Sequence, residues 1–176
     1  MRMAEYVLKG LRDFASVVVS VAVLAVTLSF NRWQRRLASE QLRHQLYERR
    51  MAACSAFREL LTGLPYADSR EKINPLFQKA HLAGSEIPFL FEDDKDLQTY
   101  VDQLLQRVRD EVVNAIPFLE VMKQKPDMLM SPAIAKDWRE QANQFSLAKL
   151  KIPGEHFTQL PQKFGPYLRL TDFKKR

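Results

Sequence analysis

Residues Phe14 to Phe30 read FASVVVSVAVLAVTLSF, a run of 17 residues without a charge, whose polar members are the small hydroxyls Ser16, Ser20, Thr27 and Ser29. At about 1.5 Å of rise per residue, a helix of this length spans roughly 26 Å, close to the roughly 30 Å hydrocarbon core of a bilayer. Tyr6 before the run and Trp33 after it extend it as interfacial aromatics, and Lys9, Arg12 and Arg32 have stems long enough to snorkel. The pattern predicts a transmembrane helix over residues 14–33, with an N-terminal tail over 1–13. Its valine content is no obstacle, because a single segment in lipid closes its own backbone hydrogen bonds only as a helix. A cleaved signal peptide would show a small-x-small site after the run, where Ser29-Phe30-Asn31-Arg32-Trp33 stands instead. An interfacial helix would carry a polar stripe, and a buried core helix would need the rest of the chain to enclose it.

From Asn31 to Leu61 there is neither Gly nor Pro, until Gly63-Leu64-Pro65 supplies a stop. The membrane helix is therefore expected to continue unbroken into the following domain, residues 34–176. Leu46, Arg50, Ala53, Phe57, Leu60 and Leu64 fall at alternating spacings of four and three, flanked by Tyr47, Met51, Cys54 and Leu61. Leu46, Tyr47, Arg50, Ala53, Phe57 and Leu60 thus form a candidate interaction stripe. Its partner is either the chain's own helices or a second copy in a parallel coiled coil, for which about three heptads carrying Arg50 and Ala53 in the seam are a short basis.

The stretch Gln41 to Leu61, QLRHQLYERRMAACSAFRELL, resembles the juxtamembrane signature of a family of bacterial single-pass membrane proteins of unknown function, whose members read approximately KLRLDLFDRRFAVYEAVRRFL. Leu42, Arg43, Leu46, Arg49, Arg50, Ala52, Ala56, Arg58 and Leu61 match it, and Tyr47 and Glu48 are chemically similar replacements. The chain departs from it at His44, Gln45, Met51, Cys54 and Ser55, where the family carries Leu, Asp, Phe, Tyr and Glu. Phe89-Leu90-Phe91 and Phe164-Gly165-Pro166-Tyr167-Leu168 are two further similar traces. The resemblance implies a topology and no particular activity.

Further along, Asn74-Pro75 reads as a cap with proline at the first helical position, predicting a short helix to Gly84. Ile87-Pro88-Phe89-Leu90-Phe91 reads as an extended plug into the core. The acidic cluster Glu92, Asp93, Asp94 and Asp96 opens a helix carrying Leu97, Tyr100, Val101, Leu104, Leu105, Val108, Val112 and Ala115, which Pro117 ends or kinks before Phe118 to Lys125. Ser131-Pro132 starts another helix, with Ile134, Trp138, Ala142 and Phe145 on one face, expected to stop near Lys149 ahead of Pro153-Gly154. Phe157, Leu160, Phe164, Tyr167 and Leu168 then cross the bundle as a short helix and an extended end, followed by the solvated Lys174, Lys175 and Arg176. The expected fold class is all-α, one N-terminal transmembrane helix continuing into a bundle of about four helices.

Charge sharpens this picture. The chain carries 27 Lys and Arg against 21 Asp and Glu. Arg2, Lys9 and Arg12 precede the apolar run, while Arg32, Arg35, Arg36, Arg43, Arg49 and Arg50 follow within twenty residues of it. Three against six favours the C-terminal side as cytoplasmic and the N-terminus outside; together with the resemblance, this implies a bacterial inner-membrane protein. Arg32, Trp33, Arg35 and Arg36 are the candidate membrane-interface residues, with anionic lipid headgroups as their partner. The alternation of basic groups with Glu40 and Glu48, and the lack of a DNA-reading motif, argue against nucleic acid.

The sequence offers little chemistry. One cysteine excludes an internal disulfide, and His44, His81 and His156 are too scattered for a metal motif. Glu40, His44 and Glu48 share one helix face, an arrangement more common in a solvated salt-bridged ridge than in a metal site. Cys54 reads as a core thiol, and Asp93 and Asp94 as a helix opening. Five glycines leave little material for a phosphate loop. No cofactor, metal or catalytic residue is expected. The expected role is a non-enzymatic membrane-anchored interaction module, a scaffold, regulator or subunit that binds copies of itself or a membrane protein. The alternative is a membrane-perturbing effector of a bacterial defence or stress system that acts by oligomerising its span.

Overall fold

The computed structural model describes residues 2–92, 94–124 and 131–168, with side chains described from Val17 onward. Asp93, Lys125 and the basic end Lys174 to Arg176 lie outside the described residues. The described residues form five α-helices and no strand: α1 (Arg2–Gly63), α2 (Arg70–Leu90), α3 (Lys95–Val108), α4 (Ile116–Gln124) and α5 (Pro132–Phe164). Short 3-10 turns occupy Leu64–Tyr66 and Gly165–Tyr167, and a π-turn occupies Arg109–Val113. Two compact units are distinguished, Met1–Gln45 and Leu46–Arg176, and α1 runs through both.

The first unit is a bare helix. Its side chains from Val17 to Phe30 are exposed, with none of that apolar stretch buried in protein. A helix so long, apolar and uncovered is a membrane span, since water would make such a surface costly. The hydroxyl of Thr27 donates to the carbonyl of Val23 at 2.8 Å, so this polar side chain is satisfied within the helix. The backbone is already helical from Arg2, so the expected tail is the first part of α1.

The second unit is a bundle closed around one core. From α1 it buries Ala53, Ala56, Phe57, Leu60 and Leu61, and it continues through Leu64 and Ala67 of the following turn. α2 adds Ile73, Ala80, Ile87 and Leu90; α3 adds Leu97, Tyr100, Val101, Leu104, Leu105 and Val108. α5 returns along the core with Phe145, Ala148, Ile152, Leu160 and Phe164. Each fully buried Leu, Ile or Phe side chain contributes about 1.5–3 kcal/mol relative to exposure.

Several proline expectations are corrected. α2 starts five residues before Pro75 and runs through Pro88, so residues 87–91 are a last helical turn and its cap. They still plug the core, since Ile87, Leu90 and Phe91 are buried, while Phe89 is 85% exposed. Gly84 is a point of close approach within this helix: a Cβ there would lie 2.8 Å from the Leu105 side chain and 3.3 Å from Val101. α5 likewise passes through Pro153 and Pro161. A proline inside a helix costs roughly 3 kcal/mol, and burial of Ile152, Leu160 and Phe164 around these positions outweighs it. The break expected at Pro117 occurs earlier, where the amide of Asn114 bonds the carbonyl of Arg109 at 2.9 Å across a π-turn. Pro117 then sits in the first turn of α4, where its missing N–H is not needed.

Candidate functional site

Arg50 is 4% exposed, the one charged residue among the buried side chains described. It lies on the apolar face of α1, and a buried guanidinium is tolerable only with its donors engaged. Its Nε donates to the carbonyl of Leu90 at 2.6 Å. Leu90 is the last residue of α2, whose terminal carbonyls have no partner within the helix and carry the negative end of its dipole. Arg50 therefore caps α2 from a different helix.

The plane of the guanidinium is held by aromatic rings. Its Cζ is 5.5 Å from the Phe91 ring centre and 5.8 Å from that of Tyr167. Phe91 meets Tyr167 edge-on at 5.2 Å and Phe164 edge-on at 5.3 Å, and Phe164 meets Phe57 at 5.8 Å. Glu92 brings its carboxylate within 3.9 Å of Arg50 and takes a left-handed backbone, φ 55°. That conformation is common just after a helix, but usually with glycine, and costs a side-chain-bearing residue about 1–2 kcal/mol.

The network extends to α3. Asp94 is the N-cap of α3 and accepts from the amides of Asp96 at 2.9 Å and Leu97 at 3.0 Å. The opening carboxylate expected from sequence is thus placed on Asp94. Its other oxygen accepts from the hydroxyl of Tyr167. That bond, followed by the backbone amides, holds the Asp94 carboxyl below its ordinary range, and the same bond pushes Tyr167 up to about 12. Burial is the main influence on Arg50 and lowers its pKa, with Glu92 opposing.

The candidate stripe is assembled on one side of α1 and largely consumed there. Arg50, Ala53, Phe57 and Leu60 are buried in the bundle, Leu46 packs partly against the core, and Tyr47 is half-buried. Of the two partners open to this stripe, the chain's own helices take this face, with α2, α3 and α5 packed against it. Sequence reasoning missed Leu90, Phe91, Glu92 and Tyr167 as partners of Arg50. The available signal was an arginine set at an apolar position of the stripe, together with the three resembling segments, which supply Arg50, Phe91, Phe164 and Tyr167.

The interface candidates lie in the first unit. Arg32, Trp33, Arg35 and Arg36 are exposed on α1, and the rings of Phe30 and Trp33 lie 6.0 Å apart. An aromatic pair followed by guanidinium groups has the chemistry of a bilayer–water boundary.

A second polar cluster joins α3 to α5. Arg107 bonds Glu111 at 2.8 Å and Glu155 at 2.5 Å, and His156 Nδ1 lies 3.2 Å from the Tyr100 hydroxyl. Burial lowers the pKa of His156, with Arg107 adding to it, and burial pushes Tyr100 up to about 12. Burial also raises the Cys54 thiol, the opposite of what a nucleophile needs. Among the described residues no group of three or more His, Cys, Asp or Glu side chains is placed to hold a metal ion; Glu40, His44 and Glu48 are exposed on α1. Comparison of the chain with protein-family models, curated proteins and solved structures gives no match.

The Tyr167 to Asp94 bond predicts two pH limbs. Asp94 has a depressed folded value, so its contribution is present above the ordinary 3.8 and is lost as pH falls through the folded value. Tyr167 has a raised one, so its contribution is complete below 10.0 and is lost as pH rises toward about 12. The stability difference between wild type and Tyr167→Phe, read from denaturant midpoints in mild detergent, is expected to be flat between 3.8 and 10.0 and to shrink on both sides. A difference independent of pH would contradict this bond.

Proposed function

We propose that this protein is an anchored helical interaction module of the bacterial inner membrane, with its N-terminus outside and its bundle in the cytoplasm. It acts without catalysis, as a scaffold or subunit that binds a second copy of itself. Membrane association of an all-helical chain is the starting point; orientation and partner are the added steps. The excess of arginine after the span favours the cytoplasmic bundle. Arg32, Arg35 and Arg36 meet anionic headgroups there, each contributing about 1 kcal/mol. The resemblance of Gln41 to Leu61 to single-pass bacterial proteins implies the same topology.

The observation that carries the self-association reading is an exposed apolar row on α5. Leu147 and Leu150 are 65% and 66% exposed, and Phe157 is 39% exposed. With Gly154 and the exposed Pro161 they lie on one helical face, and a Cβ on Gly154 would meet nothing within 4 Å. Leu147 stands seven residues before Gly154 and Pro161 seven after; Leu150 stands four before and Phe157 three after. Two copies related by a twofold axis would set this row against itself. Anchoring in one membrane confines the copies and raises their effective concentration.

Two measurements test the reading. Native mass spectrometry of the full chain in mild detergent is expected to show a dimer, which Leu147→Glu with Leu150→Glu returns to monomer; a wild type that is monomeric at every concentration contradicts self-association. A C-terminal green fluorescent fusion is expected to fluoresce and a C-terminal phosphatase fusion, active only outside the cytoplasm, to stay silent. The reverse pair of signals contradicts the orientation.

A further inference from the structure

α3 and α5 are joined by a polar cluster built around a titratable ring. His156 of α5 is half-buried, its ring 5.5 Å from that of the buried Tyr100 on α3 and its Nδ1 3.2 Å from the Tyr100 hydroxyl. A neutral imidazole completes this hydrogen bond by donating or by accepting, according to its tautomer.

The charges around the ring balance only while it is neutral. Among the described residues, those that act on it are Arg107 of α3 and Glu155 of α5. Arg107 bonds Glu155 at 2.5 Å and Glu111 of the π-turn at 2.8 Å, and Lys151 of α5 lies 3.8 Å from the other oxygen of Glu155. From α1, Cys54 acts on Tyr100; burial raises this thiol and pushes the phenol up to about 12, so both stay neutral where an imidazole titrates. Two cations thus face two carboxylates. A proton on His156 adds a third cation beside Arg107 and a second N–H donor, with both carboxylates already shared out.

We propose that His156 makes the α3–α5 joint a pH-sensitive switch, closed on Tyr100 while the ring is neutral and opened when acidification of its surroundings protonates it. Burial, then Arg107, already hold the imidazole below its ordinary 6.5. Above 6.5 the ring is neutral in folded and unfolded chains alike; below it the unfolded chain takes up a proton that the closed joint resists, so stability falls as pH drops until the folded value is passed. The switch does not rest on self-association.

The test uses the full chain in mild detergent between about pH 7.5 and about pH 5, above the ordinary range of carboxylates. The denaturant midpoint of wild type is expected to fall across this window. His156→Gln, which keeps a hydrogen-bonding side chain without a titrating one, is expected to stay level, and His81→Gln, at an exposed position of α2, to keep the wild-type fall. Opening is read directly from spin labels on Gln103→Cys and Gln159→Cys, exposed on α3 and α5, in a Cys54→Ala chain. Their distance distribution is expected to broaden and lengthen at the lower pH with His156 present, and to stay fixed with His156→Gln. A wild-type midpoint that does not move, equal falls in wild type and His156→Gln, or label distances that are the same at both pH values with His156 present overturns the proposal.

Discussion

The bundle depends on a single buried cation. Arg50 stands where the stripe of α1 calls for an apolar side chain, and burying it commits other parts of the chain to its needs. The α2 C-terminus presents the Leu90 carbonyl, Phe91 and Tyr167 supply ring faces, and Glu92 turns left-handed with its carboxylate near the charge. Removing one partner of such a buried charge typically costs about 3–5 kcal/mol, because the remainder stays desolvated and unpaired. The interaction is therefore a specification of which helix ends meet, more than a simple gain in stability.

Its consequence is a closed loop of contacts. Arg50 fixes the end of α2, Asp94 caps α3 and accepts from Tyr167, and Tyr167 follows α5, whose Phe164 packs back on Phe57 of α1. The bundle thus returns to α1, the same helix that forms the membrane span. With the Arg50 face filled from within, the apolar row that stays uncovered in the bundle lies on α5.

Sequence was most informative where the signal was local. The span needed only length and absence of charge, and the stripe needed only helical spacing, so both were legible. Asp94 was legible as part of a helix opening because caps act within three residues. The partners of Arg50 were not, since the Leu90 carbonyl lies 40 residues away and carries no side-chain signature. Prolines misled because their local penalty is fixed while their surroundings are not: Pro153 is buried beside Ile152, and α5 continues helical through it. Gly84 misled in the same way, its absent side chain being required by Leu105 and not by a helix end.

The central claim is that Arg50 and the C-terminal turn act as one unit. A double-mutant cycle of Arg50→Met and Tyr167→Leu in the full chain, unfolded by denaturant in mild detergent, measures it directly. The account predicts a coupling of about 0.5–2 kcal/mol, the range for a desolvated cation over an aromatic face. Additive effects, with coupling indistinguishable from zero, would show that the ring and the guanidinium are neighbours without dependence on each other.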